Sequence, residues 1–205
     1  MNTSNAMSGF FRDSTRTAMI AHAQESASST NLMGEGVQMD ENQEMIAHAQ
    51  KSAEGLVAAG TKLLALDFDW TMVQVHTGGS WRKGAQALSE EIRPVFRYLV
   101  PAAIERGITV AVTTCSHQMD LVKEVVQVTY GELASRILIR GLIGTDKSWE
   151  PPCGTGAKDW HRKDKIPYMA SAAIEAGMLS ADADLDAMHG LLQNNTVLLI
   201  DDEQV

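Results

Sequence analysis

The run Leu63-Leu64-Ala65-Leu66-Asp67-Phe68-Asp69-Trp70-Thr71 constrains this chain more than any other stretch. An apolar strand ends there in two carboxylates spaced two apart, with a hydroxyl close behind. Along an extended backbone such residues fall on the same side, so Asp67 and Asp69 are expected to face one small volume. Like charges that close repel, and burial raises the cost unless a cation or a proton offsets it. An acid pair in that position reads as a divalent-metal site, or as a nucleophile with its proton donor, before it reads as packing.

From Lys62 onward, strand-like and helix-like stretches alternate. That is the pattern of an α/β domain whose parallel sheet is covered on both faces. Strands are predicted at 62–67, 108–113, 136–140 and 196–200, and helices near 84–106, 117–130 and 166–178. The first helix carries a core stripe of Leu88, Ile92, Val95, Phe96, Leu99 and Ala103. Pro94 and Pro101 are expected to split or kink it, and Gly107 to end it. Met119, Val122 and Val126 give the second helix its buried face.

Residues 1–55 differ from the rest and are expected to form a flexible or partner-dependent arm ahead of a core at 56–205. Phe10 and Phe11 are their only aromatics, and Ser, Thr, Asn, Gln and Met abound. Within the arm, Thr17–Ala27 recurs as Gln43–Ala53, identical at eight of eleven positions. Two copies are too few for a stacked-repeat architecture, and a lone helix of that length is marginal in water. One histidine per copy, His22 and His48, reads as a tandem duplication rather than a metal bridge.

Bulk properties bound the function. The 205 residues suffice for one α/β domain with an extension, and the 44% apolar fraction supplies a core. A net charge of −9 and a pI near 5.1 argue against a general nucleic-acid or membrane-surface binder. No apolar stretch approaches the roughly 20 residues of a membrane span, and no signal peptide is evident. Two cysteines, Cys115 and Cys153, without metal-ligand spacing point to a reduced, cytoplasmic setting. Cys115 reads as a small buried residue, with an oxidant-sensing role beside the acids as the alternative.

The motif Asp67-Phe68-Asp69-Trp70-Thr71 resembles the first motif, DxDx(T/V), of the haloacid dehalogenase superfamily, which consists mostly of Mg²⁺-dependent phosphatases. Three further segments follow in the family's order. Ile108–Thr114 is a β-branched strand ending in hydroxyls, like the second motif. Lys165-Ile166-Pro167 opens a helix, like the third. Thr196–Asp202 is an apolar strand closed by two acids, like the fourth. The resemblance spans residues 62–205 and implies a Rossmann-like parallel sheet.

It also implies a set of roles. Asp67 would be the nucleophile that forms an aspartyl-phosphate, and Asp69 the general acid and base, worth about 10²–10⁴-fold. Asp69 is the residue that separates phosphatases from the superfamily's dehalogenases. Mg²⁺ would take the carboxylate of Asp67, the backbone carbonyl of Asp69 and Asp202, with Asp201 holding a metal-bound water or the lysine. Thr114, rather than Thr113, would contact the phosphoryl group. Lys165 would counter its charge, with Lys158 and Lys163 as competitors, and Thr71 would hydrogen-bond Asp69 or the loop backbone.

The intervals between motifs are too short for a large cap domain, the second spanning only about 25 residues from Arg140 to Lys165. The resemblance therefore implies a capless member with an open site, acting on a phosphorylated small molecule or a phosphoprotein. A neighbouring copy covering the site is a further possibility. The loop His76–Trp81 lies where the family has a flap, and His76 and Trp81 read either as substrate contacts or as loop anchors. The chain stops just past the fourth motif, so the core is expected to lack a last strand and helix. The alternative to an enzyme is a catalytically impaired binding protein that engages a partner through its arm.

Overall fold

The computed structural model describes residues 36–142, 145–150 and 165–202, except the side chains of 36–40 and 185. The first repeat copy, Lys158, Lys163 and Cys153 lie outside the described residues. The chain divides into two units, and the second, Met45–Asp202, contains the sheet and every candidate site residue described below. Of the first unit, residues 36–44 are described; they open helix α1, Gly36–Ala58.

Four parallel strands form the sheet: β1 Leu63–Asp67, β2 Thr109–Thr113, β3 Ile137–Arg140 and β4 Val197–Ile200, in the order β3-β2-β1-β4. This is the α/β architecture expected, with each strand within a residue or two of its predicted limits. The long helix predicted at 84–106 is two helices, α2 Gly84–Glu90 and α3 Pro94–Glu105. Pro94 sits in the first turn of α3, where its missing N–H costs nothing, while Pro101 is accommodated inside it. Gly107, at φ +79°, closes α3 with a paired motif: Gly107 N–H donates to Ile104 O and Ile108 N–H to Ala103 O. Helix α4, Met119–Tyr130, and helix α5, Ile166–Glu175, follow as expected. Helix α6, Leu185–Gln193, was not foreseen; Asp184 caps it by accepting from Ala187 N–H at 2.9 Å.

Side-chain alternation along β1 divides the core in two. Leu64 and Leu66 face a cluster shared with Val110 and Val112 of β2 and with Leu88, Phe96, Leu99, Val122 and Val126 from α2, α3 and α4. Leu63 and Ala65 face a second cluster containing Met169, Ala172 and Ala173 of α5 and Met188 of α6. All four β1 residues are fully buried, each large one worth about 1.5–3 kcal/mol.

The core boundary lies earlier than composition indicates. Ala49, Ala53 and Leu56 of α1 are buried in the first cluster, so the second repeat copy is part of a 23-residue helix and the compact unit begins at Met45. Tertiary packing of this small-residue stripe supplies the stability an isolated helix lacks. Among the described residues, no helix is long and apolar enough to cross a membrane.

Candidate active site

The carboxyl ends of β1, β2 and β4 meet because their registers align. Asp67 pairs with Thr113 on one side, and Leu66 pairs with Ile200 on the other. The next position along β4, Asp201, therefore stands beside Asp67, and Thr114 lies one residue beyond the end of β2. Asp67 continues the side of β1 occupied by Leu63 and Ala65, which is the side that α5 covers. Lys165, immediately before α5, is thereby brought to it.

Lys165 Nζ forms ion pairs with Asp67 Oδ1 and, at 2.8 Å, with Asp201 Oδ2. All three side chains are nearly buried, at 8–11% exposure, so these charges are poorly screened by water. Carboxylate oxygens of Asp67, Asp201 and Asp202 all lie within 4.8 Å of one another. Asp202 is exposed and forms the open side of the group. Burial pushes the Asp67 carboxyl up to about 6, against the pull of Lys165; the charge of Asp201 adds to the rise. Burial works to lower the Lys165 ammonium, but attraction to Asp67 and Asp201 outweighs it and raises the group above its ordinary value.

With all groups ionised, three carboxylates face one ammonium, leaving about two negative charges without a partner inside the group. An all-oxygen donor set with that excess, open on one side, has the chemistry of a hard divalent-cation site that keeps several waters.

Asp69 lies apart from this cluster. Strand pairing stops at Asp67, and Phe68–Met72 turns tightly, closed by Val73 N–H donating to Phe68 O at 3.0 Å. The alternation that held along β1 does not carry past that turn. Asp69 Oδ1 accepts from Thr77 N–H at 3.0 Å, Oδ2 accepts from Thr77 Oγ1 at 3.1 Å, and His76 Nδ1 lies 3.4 Å from Oδ2. Of the four residues expected around the metal, the structure gathers the carboxylates of Asp67, Asp201 and Asp202 and ties that of Asp69 to the loop above.

The hydroxyl pair after β2 divides its work. Thr113 Oγ1 donates to Leu66 O at 3.4 Å, a strand-to-strand bond. Thr114, also buried, accepts from Ser116 N–H at 3.1 Å and shapes the loop beyond the strand. Thr71 departs from expectation: its buried hydroxyl reaches neither Asp69 nor the loop backbone and has no partner among the described residues. Cys115 departs too, since it is exposed rather than buried, with its Sγ 3.8 Å from Tyr168 Oη.

Two clamps hold the loops; the anchor reading of Trp81 pointed to one, and nothing in the sequence pointed to the other. Trp81 N–H donates to Gln118 Oε1 at 2.7 Å, and Gln118 Nε2 donates back to Trp81 O at 3.0 Å, joining the loop after β1 to the loop after β2. Trp81 Nε1 also donates to Gly84 O, and Lys83 lies over its ring, so Trp81 is the loop's anchor. Thr77, eight residues after Asp69, offered no spacing signal, yet its two bonds fix that carboxylate. Gly78 and Gly79, both at positive φ, make the bend that allows them.

No family model, no curated protein and no solved structure matches this chain. The functional reading therefore stands on this geometry and on the order of its motifs along the chain.

Proposed function

We propose that the protein is a Mg²⁺-dependent phosphohydrolase of the haloacid dehalogenase type, acting on a phosphate monoester through an aspartyl-phosphate on Asp67. The observation that carries this reading is Lys165 bridging Asp67 and Asp201, with Asp202 in range, at one end of a parallel sheet. Asp67 and Asp201, more than a hundred positions apart, meet there in the order of the family's motifs and with the side-chain types that the chemistry requires.

Asp67 Oδ would attack phosphorus in line, and the P–O bond to the leaving group would break as Asp69 protonates that oxygen. Asp69 would then take a proton from water, whose oxygen attacks the phosphoenzyme, releasing phosphate and restoring Asp67. Lys165 would hold Asp67 in place and offset charge on the phosphoryl oxygens. Thr114 would supply a hydroxyl from the loop after β2. Asp67, Asp201 and Asp202 would hold the Mg²⁺, which when bound neutralises phosphoryl charge. Asp69 is the acid because Thr77 keeps it out of the cation cluster.

A capless architecture accords with the interval between Asp69 and Thr114, where α2 and α3 pack into the core instead of forming a separate cover. An open site suits phosphorylated small molecules and phosphoproteins alike.

Release of inorganic phosphate from a panel of monoesters, with and without Mg²⁺, tests the reading. Hydrolysis should require Mg²⁺, vanish in Asp67→Asn and fall about 10²–10⁴-fold in Asp69→Asn. Activity unchanged in Asp67→Asn would reject it.

A further inference from the structure

Trp70 is half exposed, at 50%, directly beside the candidate acid Asp69. Isolated exposed aromatics need no explanation, but this one is held in place at a cost. Its φ is +61°, a left-handed conformation that disfavours a side-chain-bearing residue by about 1–2 kcal/mol. Backbone bonds on both sides impose it. Trp70 N–H donates to Val75 O at 3.2 Å, Arg93 Nη2 donates to Trp70 O at 2.8 Å, and Arg93 Nε donates to Thr71 O at 3.0 Å. The indole is thus presented to solvent by a fixed backbone.

A second ring completes the arrangement. The His76 imidazole stacks on Trp70 with an interplanar angle of 19° and centroids 6.5 Å apart, while its Nδ1 lies 3.4 Å from Asp69 Oδ2. The aromatic pair is therefore tied to the carboxylate that would protonate the leaving-group oxygen. Whatever is bonded to that oxygen must emerge beside Asp69, where the half-exposed indole of Trp70 and the exposed imidazole of His76 stand.

We propose that Trp70 and His76 form a stacking platform for the leaving group, making Trp70 the specificity-determining residue for monoesters whose phosphate is carried on a planar aromatic ring. This rests on the phosphohydrolase reading for its chemistry and on the Trp70–His76 geometry for its selectivity. A ring laid on an indole gains about 1–3 kcal/mol, a benefit that an aliphatic chain does not collect.

The test compares kcat/KM for phenyl phosphate and glycerol phosphate in the full chain with Mg²⁺, using wild type, Trp70→Asn and Trp70→Phe. Asn tolerates the left-handed backbone, so the turn is kept while the ring is lost. Trp70→Asn should lose about tenfold on phenyl phosphate and less than twofold on glycerol phosphate, and Trp70→Phe should retain most of the wild-type preference. Equal losses on both substrates, or none, would overturn the platform.

Calorimetric binding of phenylphosphonate and methylphosphonate separates this outcome from failure of the hydrolytic reading. In a chain that turns over neither ester, a phenyl preference abolished by Trp70→Asn upholds the platform and rejects only the hydrolysis. Absence of that preference in wild type overturns the platform, whether or not the chain hydrolyses either ester.

Discussion

Replacing Asp67 by Asn should make the metal-free protein more stable, against the usual expectation for removing half of a buried ion pair. Loss of a partner from such a pair commonly costs about 3–5 kcal/mol, because a charge is left buried alone. Here the loss is different in kind: Lys165 keeps Asp201 at 2.8 Å, and the departing charge is one that burial disfavours. A carboxyl lifted from 3.8 to about 6 penalises the ionised folded state by about 3 kcal/mol at pH 7. That figure already includes the attraction of Lys165, so a net gain of about 1–3 kcal/mol is expected, or about 2–12 °C in Tm.

The sign with pH follows. A raised carboxyl penalises folding fully above about 6 and not at all below 3.8, so the advantage of the variant should open between pH 4 and 6 and hold above. Thermal melts in EDTA across that range measure it. Adding Mg²⁺ should reverse the ranking. A cation at 100 times its Kd adds about 2.7 kcal/mol to wild type and little to a variant lacking the central carboxylate. A variant less stable than wild type in EDTA at pH 7 would refute the reasoning, making Asp67 an anchor for Lys165 rather than a strained ligand. Equal stabilisation of both proteins by Mg²⁺ would refute the assignment of the cation to this group.

Three further perturbations probe the surroundings. Thr71→Val removes a buried hydroxyl that has no partner among the described residues, so urea unfolding should show unchanged stability or a gain of about 1 kcal/mol; a clear loss would reveal a bond from that hydroxyl. Gly141→Ala should cost about 1–3 kcal/mol, since its Cβ would fall 1.9 Å from Met119 Sδ and 2.7 Å from Cγ at the start of α4; a neutral result would show that Met119 moves aside freely. Asp146 accepts from Gly141 N–H at 2.9 Å and from Ser148 N–H and Oγ at 2.9 and 2.6 Å. Burial opposes its ionisation, yet those bonds prevail and hold it below 3.8, so its stabilisation is present above about pH 4 and fades as pH falls through the folded value. Asp146→Asn should lower stability by about 1–2 kcal/mol at pH 7 and flatten the acid limb of a pH–stability curve.

How far the fold could be read from the chain depended on whether local pattern or tertiary contact decides each element. Strands β1, β2 and β4 are apolar runs bounded by turn residues, and local pattern suffices for them. The break at Pro94 was legible in outline, because a missing N–H has one inexpensive place in a helix. Helix α1 was not legible as core, since its buried face is Ala49 and Ala53 in a polar stretch. Alanines at that spacing become core only when other apolar residues cover them, as the first cluster does here. Helix α6 was obscured in the same way: its N-cap is evident once seen, but Asp182, Asp184 and Asp186 crowd its start with acids that read as loop.

The site divides along the same line. Asp67, Lys165 and Asp201 were readable because each stands at the end of a regular element or one residue from it, where period and register carry a side chain to a calculable place; Asp202, two residues past the last β4 pair, has no such constraint. Asp69 lies two residues past the last paired position, and there the chain leaves the sheet. The extended-strand rule no longer applies there, and the Asp69 carboxylate is bonded to Thr77 of the loop. That displacement has a chemical use: an acid drawn into the cation cluster would be held ionised by the metal and could not deliver a proton. Thr77 and His76 hold the Asp69 carboxylate at the loop, so under the proposed chemistry the turn at Trp70, which breaks the pattern, would let the two carboxylates of one motif take different roles.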